Sequence, residues 1–133
     1  EPEPIVQQEL PVIYFDYDKS YIRDDQLHKM GVMLSIMKDG KCIVQGHACE
    51  IGTAEYNMAL GEARAQTVVE WLTAATVSPD MLGLISYGEE RPATMEVDKL
   101  ELNRRVEVKC GVSVGYNPTD SKSIAFQYMA GIE

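Results

Sequence analysis

The residues of this chain that could do chemistry cluster in GHACEIGTAEYNMALGEARA, residues 46–65. Asn57, Gly61 and Arg64 fall at i, i+4 and i+7, so on a helix they share one face. A glycine in that stripe costs a helix about 1 kcal/mol relative to alanine, which implies that something packs close to it. An Asn and an Arg flanking the glycine could hold a small ligand carrying a carboxylate. On spacing alone a plainer arrangement serves as well: Arg64 solvating the surface or pairing with a nearby Glu, and Gly61 touching another strand. His47, two residues before Cys49, invites a metal or Cys–His reading. Only His28 exists elsewhere, and the three cysteines (Cys42, Cys49, Cys110) form no CxxC pair, so no zinc set is implied. A Cys–His hydrolase would need an ordering third group and an oxyanion hole, and the sequence supplies neither. Asp16 and Asp18 read as a solvated loop with one pocket residue rather than as an acid/base pair. We expect no catalytic residues, no metal and no cofactor.

The elements that must carry these residues are legible from periodicity. PVIYF (11–15) is β-branched and aromatic and suits a buried strand. Asp24 is a candidate N-cap for a helix with Leu27, Met30, Leu34 and Met37 at helical spacing, stopping near Asp39-Gly40. A short strand follows at 41–46. Thr53 can cap a long helix through about Ala75, with an apolar stripe of Tyr56, Leu60, Ala63, Val68, Trp71 and Leu72. Ser78-Pro79-Asp80 starts a further helical turn, and strands are expected at 82–88 and 104–110. The order β-α-β-α-β-β gives an α/β fold: a two-layer sandwich with a mixed four-stranded sheet and the helices on one face.

Length and charge narrow the function classes. The 133 residues fit one domain. With 12 basic against 21 acidic residues the formal net charge is -9, and such a surface repels phosphate backbones and anionic headgroups, so nucleic acid is not an expected partner. EPEPIVQQEL (1–10) reads as the stub of a semi-rigid linker, implying an anchor or domain upstream. Residues 111–133 read as a C-terminal extension of unassigned role, with a short amphipathic helix expected in SKSIAFQYMAG.

The central stretch resembles the signature of the OmpA-like domain family, with Gly46, His47, Ala48, Gly52, Tyr56, Asn57, Leu60, Gly61, Arg64 and Ala65 in register. YFDYDKSYIRDD (14–25), SYGEERPA (86–93) and NRRVEV (103–108) extend the resemblance over about residues 12–109. GTAEYN and LGEARA are closer to the peptidoglycan-associated lipoprotein branch than to porin-attached domains. The resemblance implies an OmpA-like domain over 11–110, periplasmic and associated with the outer membrane through an upstream anchor. It also implies non-catalytic binding of peptidoglycan, at the diaminopimelate side-chain end of the stem peptide, with other envelope proteins as further partners.

By the same resemblance the ligand-binding residues are Asp16, Ala48, Cys49, Asn57, Arg64 and Arg104. Arg64 is the carboxylate clamp, Asn57 a polar partner, and Asp16 and Arg104 border the pocket. Arg64 is thereby expected to be an exposed pocket residue that contributes little to stability. Cys49 occupies the place of the family's ammonium-binding Asp. A neutral thiol is a weak acceptor and cannot balance an ammonium, so weakened binding is expected. The alternative is a structural or protein-interaction module with an inactive glycan pocket. In the family arrangement the last strand runs antiparallel to strand 41–46, which brings Cys110 near Cys42. Two buried thiols and a disulfide are both open.

Overall fold

The computed structural model describes residues 10–37 and 41–111. Four strands form one sheet: β1 (Ile13–Tyr14), β2 (Cys42–His47), β3 (Leu82–Gly88) and β4 (Arg105–Cys110), in the spatial order β1-β4-β2-β3. β2 and β3 run parallel, while β4 is antiparallel to both β1 and β2. Helices α1 (Leu27–Ile36) and α2 (Ala54–Ala74) complete the second layer. This is the expected mixed α/β sandwich. A short 3-10 stretch over Val97–Asn103 was not foreseen. The stop near Asp39-Gly40, most of the linker stub and nearly all of the C-terminal extension lie outside the described residues.

Alternation divides the sheet. Cys42 and Val44 on β2, Leu82 and Leu84 on β3, and Val106, Val108 and Cys110 on β4 are buried with Val68, Val69 and Leu72 of α2 and Met30 and Met33 of α1. The opposite strand face carries Arg105, Glu107 and Lys109, with Glu107 accepting from Arg105 Nε at 2.5 Å and pairing with Lys109 at 3.3 Å.

The approach of α2 to the sheet is set by two glycines. A Cβ on Gly46 would collide with the Gly61 carbonyl, and one on Gly61 with Ser86 Oγ and the Gly46 carbonyl. Gly61 therefore does touch another strand, and the helix-propensity cost is offset by that contact. Thr53 caps α2 as expected, its hydroxyl accepting from Tyr56 N–H at 3.0 Å.

Several expectations are corrected. The inward stripe of α2 is Asn57, Gly61, Arg64, Ala65, Val68, Val69 and Leu72, whereas Tyr56 and Ala63 are exposed. A search for apolar periodicity misreads this helix because its N-terminal half buries polar side chains. Asp24 is not a cap: it lies inside a 3-10 turn (Asp24–Gln26) that precedes α1, and the entry is held by Asp25 pairing with Arg23 at 2.6 Å. Gln26 Oε1 accepts the Tyr14 N–H at 3.0 Å, which satisfies a donor of the short β1. Of the α1 stripe, Met30 is buried and Leu34 and Met37 pack at the margin. Leu27 is exposed and Met33 takes the second fully buried place.

Candidate functional site

Arg64 organises the C-terminal end of β2. It is fully buried, contrary to the expectation of an exposed pocket residue. Its Nε donates to the Lys19 carbonyl at 2.8 Å, Nη1 to the His47 carbonyl at 2.9 Å and Nη2 to the Asp16 carbonyl at 3.1 Å. The guanidinium also lies 5.4 Å from the Phe15 ring centroid. A guanidinium has five N–H donors. Three are committed to main-chain carbonyls, leaving one on each terminal nitrogen, the number a carboxylate takes. Burial lowers the Arg64 pKa to about 10, with Arg104 adding to the shift and Cys49 and Asp18 opposing it. The side chain stays charged at neutral pH.

The loop after β1 wraps this charge. Asp16 and Lys19 both give carbonyls to Arg64, and Lys19 N–H donates back to the Asp16 carbonyl at 3.2 Å. Asp18, between them, adopts φ 63°, a left-handed conformation that Asp tolerates better than most residues. The Asp16 carboxylate is turned away, accepting from Tyr21 OH at 3.2 Å and pairing with Arg23 at 3.5 Å. Arg104 Nε donates to the Phe15 carbonyl at 2.9 Å, which joins the start of β4 to the same loop.

Asn57 lies about two turns before Arg64 on the same inward face of α2. The peptide joining His47 to Ala48 sends its C=O to Arg64 and its N–H to the Gly88 carbonyl at 2.9 Å. In a trans peptide these groups point in opposite directions. Asn57, buried, donates through Nδ2 to Glu89 Oε1 at 2.8 Å. It is therefore part of the β3 side, where Gly88 sits at φ 54° hard against the backbone of Met58. Ala48 and Cys49 are both buried, and Cys49 is a free thiol.

His47 turns its ring to the other face of the sheet. It stacks on Tyr87 with centroids 5.5 Å apart, and neither ring nitrogen has a hydrogen-bond partner. Burial, with Arg105 nearby, lowers its pKa to about 3, so it is neutral under ordinary conditions. Among the described residues no group of His, Cys, Asp and Glu is arranged to hold a metal.

The structure thus ties Arg64, Asp16 and Arg104, three of the six residues singled out in the sequence, to one loop. Arg64 holds the Asp16 carbonyl, Arg104 joins the same loop at Phe15, Ala48 and Cys49 are buried just after the His47 carbonyl that Arg64 takes, and Asn57 pairs with Glu89. Sequence reasoning set Asp18 aside as loop and missed Glu89. The signal for Asp18 was its place between two residues whose carbonyls a buried Arg needs, and spacing does not reveal that.

A mixed sheet with both helices on one face and a buried Arg at the end of its parallel β2–β3 pair defines the OmpA-like class of domain. The family model for OmpA matches residues 14–105, and the chain belongs to the OmpA family. The peptidoglycan-associated lipoprotein of Pseudomonas aeruginosa is 40% identical over 104 residues, covering 75% of this chain and 62% of that protein. The Legionella pneumophila protein of the same name is 40% identical over 98 residues, covering 70% and 56%. This chain therefore spans less than two thirds of those relatives. The crystal structure of the peptidoglycan-associated lipoprotein from Burkholderia pseudomallei superposes with a TM-score of 0.66 at 28% identity, covering 73% of this chain and 86% of that one.

Proposed function

We propose that this domain binds peptidoglycan without catalysis, gripping the diaminopimelate end of the stem peptide. In that role it tethers the outer membrane to the cell wall from the periplasmic side. The observation that carries this reading is Arg64: a buried guanidinium with three donors fixed by main-chain carbonyls and one N–H left on each terminal nitrogen. Pre-fixing the fork lowers the ordering cost of binding a carboxylate. The names of the relatives support the ligand class. Arg104 and Asp18 border the clamp, while Asn57 acts through Glu89 on the loop beside it. Cys49 removes a negative charge from the pocket, and the loss of one charge-assisted bond weakens affinity for the zwitterionic side chain by roughly ten- to a hundredfold. That same neutral thiol is what favours the second reading, a protein-interaction module with an inactive glycan pocket.

Calorimetric titration with a soluble diaminopimelate-containing muropeptide tests the proposal. Binding at millimolar affinity or better is expected, at least tenfold weaker in Arg64→Lys, which keeps the charge and loses the fork. Absence of binding in the parent, or an Arg64→Lys variant equal to it, would overturn the clamp.

A further inference from the structure

We infer that Gln26 and Lys29 are positioning residues for Arg64, holding through β1 the carbonyls that fix its guanidinium, a reading that rests on the function proposed above only for its ligand. β1 is an edge strand whose ladder to β4 covers two residues, Ile13 with Val106 and Tyr14 with Arg105. Main-chain groups alternate in direction along such a strand. Phe15 N–H, which donates to the Arg104 carbonyl at 2.8 Å, marks the inner side. Tyr14 N–H and Val12 C=O therefore face outward, where an edge strand presents unpaired groups to water or to another chain. Here they meet side chains. Gln26 Oε1 accepts the Tyr14 N–H at 3.0 Å, and Lys29 Nζ donates to the Val12 carbonyl at 2.9 Å. Lys29 Nζ also lies 4.8 Å from the Tyr14 ring centroid, within cation–π range. The 3-10 turn and the start of α1 thus take the place of a further strand.

Little chain separates β1 from the clamp. Asp16 follows Phe15 directly and its carbonyl accepts from Arg64 Nη2, while the Lys19 carbonyl accepts from Nε. The far end of this loop is held by α2, where Thr67 Oγ1 donates to the Ser20 carbonyl at 2.7 Å. Its near end depends on β1. Ile13 and Phe15 are fully buried and set the depth of the strand. A two-residue ladder leaves its tilt to the bonds on the outer side. A tilt of β1 carries the Asp16 carbonyl with it, and a hydrogen bond weakens steeply as its angle closes. Gln26 and Lys29 touch neither Arg64 nor the pocket in any bond seen here, and act on the guanidinium through the main chain of β1.

The test reads the Arg64 Nε–H resonance, which reports the bond to the Lys19 carbonyl without any ligand, alongside affinity for the diaminopimelate-containing muropeptide. Gln26→Leu and Lys29→Met should each shift and broaden that resonance. Each should weaken muropeptide binding by about fivefold, the equivalent of one neutral hydrogen bond. Gln26→Glu, which keeps the acceptor, and Lys29→Arg, which keeps the donor, should retain the parent's resonance and affinity. Leu82→Ala, a core truncation on the far edge strand β3, should lower the thermal midpoint and move neither readout. An Arg64 Nε–H at the parent's position in both Gln26→Leu and Lys29→Met overturns the inference, as does an equal movement in Leu82→Ala. Undiminished affinity in both variants of a parent that binds overturns it as well. Should Gln26→Leu fail to fold, Lys29→Met, at a partly exposed site, decides alone. If the parent binds no muropeptide, the ligand reading falls while the resonance still decides the positioning.

Discussion

One cysteine starts β2 and another stands two residues beyond its end, and the two regions are built on opposite principles. At the start of the strand Cys42 faces Cys110 of β4 as a register partner, and the two are joined in a disulfide with Cα atoms 3.9 Å apart. The Gly111 N–H donates to the Lys41 carbonyl at 3.0 Å. This marks Cys42 and Cys110 as a non-hydrogen-bonded pair, the arrangement in which facing residues come closest. Around it the core is aliphatic. Past the other end Cys49 is a buried free thiol, and α2 turns Asn57, Gly61 and Arg64 inward instead of Val68 and Leu72. One end holds the fold by apolar packing and a covalent link. The other places a charge where main-chain carbonyls can hold it and leaves part of its hydrogen-bonding capacity unspent.

The largest effect that would break this comparison is on the closed end. The bridge spans a sequence separation of 68, and closing a loop of that length in the unfolded chain stabilises by about 4 kcal/mol. Cys42→Ala/Cys110→Ala should lose roughly 2–5 kcal/mol in urea unfolding, with muropeptide affinity unchanged in the folded fraction. A double variant as stable as the parent would show that the aliphatic core alone secures that end.

Next comes Arg64. Its truncation removes a donor from the Lys19 and His47 carbonyls and leaves the Asp16 carbonyl with the Lys19 N–H. Leaving buried acceptors unpaired costs about 1–3 kcal/mol each before relaxation and water entry, so Arg64→Ala should lose roughly 3 kcal/mol as well as ligand binding. An unshifted thermal midpoint would mean that the loop at 16–19 does not depend on it.

His47 gives a pH-dependent effect. Its folded pKa of about 3 lies below the ordinary 6.5. The unfolded chain therefore binds the proton that the folded one refuses, and stability is full above pH 6.5 and falls as the pH drops toward 3. The slope contributed is at most about 1.4 kcal/mol per pH unit. Unfolding free energies from pH 7 to 5 should fall more steeply for the parent than for His47→Phe, and equal slopes would contradict the buried neutral ring.

The smallest effect is at Gly61. Alanine gains about 1 kcal/mol in helix propensity but drives a methyl into Ser86 Oγ and the Gly46 carbonyl. Overpacking costs typically 1–3 kcal/mol, so Gly61→Ala should be net destabilising by about 1 kcal/mol in urea unfolding. A stabilised variant would show that the helix can lift from the strand freely.

Much of the fold was legible because alternation and helical spacing report burial wherever the buried residues are apolar. β3 was read to the residue, and the parity of Cys42 with Cys110 held. The reading failed where burial is polar. Tyr56 was placed inside and Asn57 treated as pocket lining, because nothing in spacing says that three carbonyls await Arg64 or that Glu89 awaits Asn57. Family resemblance singled out Arg64 and Cys49, but two of the carbonyls that hold Arg64 come from a loop whose turn at Asp18 no local pattern specifies.

The most direct test is a nuclear magnetic resonance titration of the isotopically labelled chain with a diaminopimelate-containing muropeptide. Saturable shifts should appear at the Arg64 side-chain Nε–H and at the amides of Asp18, Ala48 and Cys49, with Lys41, Cys42 and Cys110 unmoved. Shifts centred on the disulfide end, or on Arg105, Glu107 and Lys109 of the opposite face, with Arg64 silent, would contradict it.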